Sequence, residues 1–349
     1  MTDIHHQHKA TIKTLSSALY DFDEMSVRKL LDRLISDTAI CRFFHPVGDV
    51  LPGQLYDRVF APLVNAMPDV ERRDIICIAG EDQQGRNWVG CAGHYLGRFI
   101  APFMDIPPTG HIAHIRYHEF FCLCDGTITE IQVLWDLPDL MMQAGVWPMG
   151  PSLGREGYVP APASQDGLAQ EQPDDALTTQ NLQHVLDMLT AMQQYPAKGG
   201  AEVMQLERYW HPHFNWYGPS GVGSCRGIDG FRRFHQTPFL KAMPDRGQYP
   251  EQTSPHFFAD GAYVAVTGWP NMAQTLSHDG WLGIAPTDSQ VRLRSLDFWR
   301  IENGRIRENW VLVDLLDLWS QLRVDVLARM TELASARPEY QHAVLQEAR

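Results

Sequence analysis

The 349-residue sequence has six cysteines, Cys41, Cys77, Cys91, Cys122, Cys124 and Cys225, five of them in its first half, and no Cys-x-x-Cys pair. This spacing argues against a zinc framework or a disulfide scaffold and fits reduced thiols. Cys122 and Cys124 fall on one face of a strand, as packing residues. No run of eighteen apolar residues occurs, which argues against a membrane-spanning helix. The start, MTDIHHQHKA, lacks a basic n-region and an apolar h-region. The expectation is a cytoplasmic protein, with HHQH as a mobile tail. Positive charge is also short. At a net charge of −13 with no basic stripe, nucleic acid and anionic membrane are poor partners. No Gly-x-Gly-x-x-Gly, phosphate loop, nucleophile elbow or Cys-His pairing is present. What remains is ordinary globular composition, 44% hydrophobic and 20% charged.

What is present is a repeat. At an offset of 178, IPPTG (106–110) falls on IAPTD (284–288), Arg116 on Arg294, and EFFCLCDG (119–126) on DFWRIENG (297–304). Further along, Asp136, Asp139 and Gln143 fall on Asp314, Asp317 and Gln321. NAMPD (65–69) matches KAMPD (241–245) at 176, and FFHP (43–46) matches YWHP (209–212) at 166. The changing offset implies about ten extra residues in the second copy, between His211 and Ala242. Two domains are expected, 8–149 and 176–335. A Pro, Gly, Gln and Asp-rich linker, 150–175, joins them, and a tail, 336–349, follows with a short surface helix beyond Pro338.

Each copy opens with a helical pattern. In the second, Leu182, Val185, Leu186, Leu189 and Met192 take i, i+3, i+4, i+7 spacing over 178–195, with Thr178 or Thr179 as N-cap. Strand patterns follow, joined by Asp-Gly (125–126) and Asn-Gly (303–304) hairpin signals. Helices first and antiparallel strands afterwards predict an α+β domain, with helices on one face of a curved sheet.

The AMPD turn of both copies, the Gly-x-His-x-x-Gly of Gly93, His94 and Gly97, and the IPPTG-like turn together resemble the SnoaL-like polyketide cyclase family, within the nuclear-transport-factor-like α+β barrel superfamily. The ending DFWRIENGRIRENWVLVD (297–314) completes the resemblance, which spans nearly all of both copies. It implies two tandem cone-shaped domains, probable halves of an internal pseudo-dimer that could pair again with a second chain. It also implies an apolar pocket in which members close a ring of a polyketide ester by aldol condensation, without a cofactor. The ligand would be a small apolar carbonyl compound. The same fold also serves non-catalytic binding and assembly modules.

Candidate catalytic residues are Asp136, Asp314, Glu119, Asp297 and His118. Asp136 and Asp314 end the last long strand and either meet the ligand or cap the next helix. Many relatives carry an aspartate directly after the tryptophan of the ending motif, a position held here by Val133 and Val311. Period-two alternation puts Arg116, His118 and Phe120 on one face of a strand and Tyr117, Glu119 and Phe121 on the other. Glu119 and Asp297 are a shared acidic position, whereas His118 is private to copy one and serves either chemistry or a domain interface. A metal ion is a poor fit for the same stretch. His114 and His118 on one strand sit roughly 13 Å apart, too far for one zinc with ligands at about 2 Å. Candidate ligand contacts are His45 and His211, which share the His-Pro setting, His94 of the Gly-x-His-x-x-Gly stretch, and the aromatic residues Trp88, Trp269 and Trp310.

Overall fold

The computed structural model describes residues 4–169 and 173–336; the expected helix beyond Pro338 lies outside them. Copy one begins with helices α1 (Ile4–Tyr20) and α2 (Glu24–Leu34). Asp23 caps α2 by accepting from Ser26 N at 2.8 Å, the role Asp plays at an N-cap. Strands β1 (Ile35–Phe43) and β2 (Asp49–Val50) lead to a π-helical turn (Tyr56–Phe60), helix α3 (Ala61–Ala66), and strands β3 (Glu71–Glu81), β4 (Asn87–Arg98), β5 (Ile112–Cys124) and β6 (Thr127–Trp135). Helix α4 (Leu137–Gln143) closes the domain.

Copy two repeats the plan with α5 (Asp175–Met192), α6 (Leu206–Tyr209), β7 (Trp210–Tyr217), β8 (Cys225–Arg226), α7 (Gly227–Phe231), a second π-helical turn (Arg232–Gln236) and α8 (Thr237–Ala242). Strands β9 (Pro255–Asp260) and β10 (Tyr263–Gly268) follow, then β11 (Met272–Leu276), β12 (Ser289–Leu293), β13 (Ser295–Glu302) and β14 (Arg305–Val313), and helices α9 (Leu315–Gln321) and α10 (Val326–Ser335). The sheet orders are β2-β1-β6-β5-β4-β3 and β8-β7-β14-β13-β10-β9, so the two copies are the same α+β fold in tandem. Both hairpin signals hold: Asp125 and Gly126 have φ of 49° and 77°, and Asn303 and Gly304 have 50° and 72°. That left-handed pair matches the strand twist, and only a residue such as Gly enters it without strain.

The structure corrects four expectations. Cys41 pairs with Ile131 and Trp216 with Asn309, so β1 and β7 correspond at an offset of 175. His45 therefore stands opposite Ser220, not His211, and no ten-residue insertion lies between the copies' helices. The shared His-Pro reflects chance similarity of two short strings. Helix α5 is capped by Asp174, which accepts from Ala176 N and Leu177 N, rather than by Thr178 or Thr179. The HHQH segment belongs to α1, whose His8 is buried.

The sheets pack against each other as an internal pseudo-dimer. Phe120 and Phe298 meet at 5.0 Å between ring centres. A Cβ on Gly90 would come within 3.0 Å of both rings, so only glycine allows this approach. The seam is also tied by hydrogen bonds: Arg116 Nη2 donates to Gly218 O at 2.8 Å, and Lys9 pairs with Asp260 at 2.9 Å. The segment after Gly150 lies across both copies. Arg155 N donates to Ser224 O at 2.8 Å, Trp310 Nε1 to Pro160 O at 3.0 Å and Cys77 N to Gly167 O at 2.7 Å. All six cysteines are free thiols, Cys122 buried and Cys124 exposed. No helix among the described residues is long and apolar enough to cross a membrane.

Candidate active site

The two cones differ inside. In copy two a cavity of about 380 Å³ opens between α5, the α7–α8 helices, the stretch 246–257 and the concave face of the sheet. Its walls are aromatic, with Trp210, Trp216, Phe231, Phe239, Trp281 and Trp299 among them. Its polar groups are few: His235, Arg246, Asn271, Ser295, Asp297 and Asn309 stand out. A mostly apolar hollow with a small set of polar groups is the usual form of a small-molecule site.

Asp297 projects from β13. Its Oδ1 accepts a hydrogen bond from Ser295 Oγ at 2.5 Å. Ser295 is itself held by Asn271, which accepts from Ser295 N at 3.0 Å and donates to Ser295 O at 2.7 Å. Burial pushes the Asp297 carboxyl up to about 7, against the opposing pull of the Ser295 hydrogen bond and the Arg246 charge. His235 lies in the π-helical turn, stacked on Trp216 at 4.0 Å and 19°. Burial, reinforced by Arg246, drops its pKa to about 3, so the ring is neutral, and its Nδ1 has no hydrogen-bond partner. Asn309 donates to Phe298 O at 2.9 Å. Asp297 pairs across strands with Val311, and both line the cavity. Where relatives carry the post-tryptophan aspartate, this chain has a valine, and a carboxylate stands on the same face one strand over.

In copy one the corresponding interior is filled. Glu119 occupies the place of Asp297, but Arg72 Nη1 donates to its Oε2, Tyr95 Oη donates to Oε1 at 3.1 Å and Trp135 Nε1 donates to Oε1 at 3.0 Å. Arg72 Nε also donates to Asp74 at 2.9 Å, and Tyr117 Oη donates to Asp74. Burial works against the Arg72 charge, yet Asp74 and Glu119 outweigh it and hold its pKa above the usual range. Tyr95, Tyr117 and Trp135 pack ring to ring at 4.9 to 5.0 Å around the Glu119–Arg72 pair. The strand register puts Met272, Ser295 and Val313 in their places in copy two, since Tyr95 pairs with Ile115 and Met272 with Leu293, and Tyr117 with Trp135 and Ser295 with Val313; all three line the cavity. Three rings exchanged for side chains without rings make the hollow.

The other candidates stand elsewhere. Asp136 caps α4 and is buried at the seam, accepting from Ser220 N at 3.1 Å and pairing with Arg116 at 3.1 Å. Asp314 caps α9 and accepts from His45 N at 2.9 Å; burial, with Asp317, pushes it up to about 6. His118 is buried in the seam with Nδ1 on Leu296 O at 2.5 Å, and burial takes its pKa well below the usual value. His94 packs edge-on against His114 at 5.5 Å, its pKa lowered to about 3 by burial and the His114 charge. His211 accepts from His213 N at 3.0 Å at the start of β7. Trp88 donates to Asp82 at 3.0 Å beneath His256, Trp269 lies under the Arg294 guanidinium at 4.7 Å, and Trp310 is tied to Pro160. Of the eleven candidates, Asp297 alone lines the cavity.

Sequence reading passed over His235, Arg246, Ser295, Asn271 and Asn309. The signal for the first two was available. At the AMPD offset of 176, His235 and Arg246 stand where copy one has Val59 and Val70.

A helix-covered concave sheet around an apolar hollow, with a carboxyl group on its wall, defines a cone-shaped α+β domain with an internal cavity. Residues 189–322 match the family model described as SnoaL-like polyketide cyclase, and the second domain is a SnoaL-like domain. No curated protein matches the chain. Among solved structures, AclR of Streptomyces galilaeus, described as a candidate hydroxylase, is 19% identical, with 41% of this chain and 84% of that one covered at a TM-score of 0.35. IdmH of Streptomyces antibioticus, described as a candidate polyketide cyclase, is 22% identical, with 40% and 99% covered at a TM-score of 0.34. An NTF2-like protein of Burkholderia xenovorans LB400 is 19% identical, with 41% and 96% covered at a TM-score of 0.32.

Proposed function

We propose that the second domain is a cofactor-independent acid/base catalyst of the cyclase or isomerase type, acting on a small carbonyl compound, and that the first domain is its scaffold. The observation that carries this reading is Asp297, a carboxyl with its pKa pushed up to about 7 on the wall of an open apolar cavity. At neutral pH such a group is present in both forms, the optimum for taking a proton and returning it.

The steps balance without a further reagent. Asp297 carboxylate takes a proton from the carbon between two carbonyls. The negative charge moves onto oxygen, where the neutral His235 ring and the Arg246 guanidinium stabilise it. The enolate carbon bonds to a second carbonyl of the same molecule, and Asp297, now protonated, gives its proton to the new alkoxide. Water is kept out by the tryptophan and phenylalanine walls, so the charge-stabilising groups act at low dielectric.

The test is hydrogen–deuterium exchange at the acidic carbon of ethyl benzoylacetate, followed by NMR with the full chain. Catalysed exchange is expected in the native protein. A fall of about 10²–10⁴-fold is expected in Asp297→Asn, the range general acid/base groups contribute. Exchange no faster than in buffer, or exchange unchanged by the substitution, refutes the assignment and leaves a binding domain.

A further inference from the structure

Arg246 sets a requirement on the ligand. It lies on the cavity wall, directly after the AMPD turn. No acidic side chain among the described residues comes within ion-pairing distance of it, and no hydrogen bond of its guanidinium is found. Other buried or half-buried arginines of the chain differ. Arg72 pairs with Asp74 and Glu119, Arg116 with Asp136, Arg294 with Asp314 and Asp317, and Arg300 with Glu302 and Glu308. Arg246 is half-buried on the cavity wall, and burial lowers its pKa against the pull of Asp297. Asp297, the acid nearest to serving it, makes no ion pair with it and is only partly ionised at neutral pH.

Copy one shows what satisfies this interior. There the space is filled by the rings of Tyr95, Tyr117 and Trp135 and by a carboxylate, Glu119, bonded to an arginine, Arg72. Copy two has an arginine in the place of Val70, lacks the rings and leaves the hollow lined by Trp216, Phe239 and Trp281. We propose that the ligand of this cavity supplies what copy one builds in: an aromatic carbonyl compound bearing a carboxylate, with its rings in the space opened at Met272, Ser295 and Val313 and its carboxylate on Arg246. This rests on the cavity being the working site and narrows its substrate from carbonyl compounds in general to aromatic acids. Arginine is suited to the task because its planar donor fork matches a carboxylate. About 380 Å³ is at the small end of ligand pockets, so the acid has few rings.

The test is titration of the full chain with 2-naphthoate and its neutral counterpart 2-naphthamide, read by tryptophan fluorescence and calorimetry at pH 7. The naphthoate is expected to bind about tenfold or more tightly than the amide. Arg246→Gln should bring the two within about twofold, and Arg246→Lys should restore part of the preference. Met272→Tyr, which refills the space as copy one does, should abolish binding of both. Naphthamide binding as tightly as naphthoate, a preference that survives in Arg246→Gln, or no naphthoate binding at millimolar concentration overturns the proposal. Asp297→Asn separates this from the catalytic reading, because it should leave the naphthoate preference in place while stopping proton exchange. Anion preference with undiminished exchange in that variant refutes the catalytic role alone. Exchange lost without any anion preference refutes the substrate class alone.

Discussion

Glu119 and Asp297 occupy one position in two copies of one fold, each directly across from a valine on the last strand. Glu119 is enclosed by an arginine, a tyrosine and a tryptophan; Asp297 has a serine hydroxyl on one oxygen and faces a cavity. The difference lies not in the carboxylates but in their surroundings. Where three aromatic rings and a paired guanidinium fill the cone, the acid is a structural ion. Where the rings give way to Met272, Ser295 and Val313, the same acid gains an open face and a raised pKa. Duplication thus lets one half carry stability while the other keeps a hollow, which costs packing.

The sharpest way to break this comparison is to remove the arginine from each copy. Arg72→Met strands Glu119 and Asp74 in a buried cluster and should cost about 3–5 kcal/mol, the range for deleting one partner of a buried pair. Arg246→Met removes a charge with no counter-ion and should change stability by about 1 kcal/mol or less. Urea unfolding of both variants checks this, and similar losses in the two would mean that Arg246 has a structural partner after all.

Exchanging ring for space comes next. Trp135→Val hollows copy one, losing a buried ring that also donates to Glu119, and should destabilise by about 3 kcal/mol. Met272→Tyr puts a copy-one ring into copy two and should leave stability within about 1 kcal/mol. The contrast is read from the two unfolding midpoints; a large loss in Met272→Tyr would show that the space cannot take a ring.

A smaller effect is expected from pH. Asp297 holds its proton in the folded chain up to about 7, whereas in the unfolded chain it ionises near 3.8, the ordinary value of an aspartate. The contribution of this group is therefore fully favourable below about 4 and is lost as pH rises through 7. Asp297→Asn carries no such penalty. Its Tm should equal that of the native protein at pH 4 and exceed it by roughly 2–4 °C at pH 8, by differential scanning calorimetry. A constant gap across the range would place the Asp297 pKa near its ordinary value.

How much of this was legible depended on where the repeat is strict. From β5 to α4 the copies align at a single offset, so the tandem fold, the hairpins and the shared acidic position could be read directly, and period two put Glu119 and His118 on opposite faces without saying which faced the seam. Before β3 the repeat is weak, and two identical letters beside two aromatic ones, FFHP against YWHP, outweighed a register that only strand pairing fixes. That slip hid His235. The cavity itself could not be read, because emptiness is a property of what several distant side chains fail to fill. Tyr95, Tyr117 and Trp135 are far apart in sequence and adjacent only in the fold. Yet the exchange of Tyr117 and Trp135 for Ser295 and Val313 is visible at the offset of 178, and comparing volumes there points to copy two; the place of Tyr95 needs the strand register, which gives Met272 and not Ala273.

The least effect is expected at Asp314. Its oxygens accept from Asp317 N at 3.1 Å and from His45 N at 2.9 Å, at the top of α9 and across the seam. An asparagine carbonyl can accept in the same geometry, and asparagine caps helices about as well as aspartate. What Asp314→Asn removes is the charge facing Arg294, a half-buried pair at 3.3 Å that Asp317 shares at 3.2 Å. Since Asp317 remains, the loss should be about 1 kcal/mol or less at pH 7, and naphthoate binding and proton exchange should stay at native levels. Loss of exchange in Asp314→Asn with a native unfolding midpoint would move the acid/base role from the cavity wall of β13 to the strand end, and with it the distinction between Glu119 and Asp297.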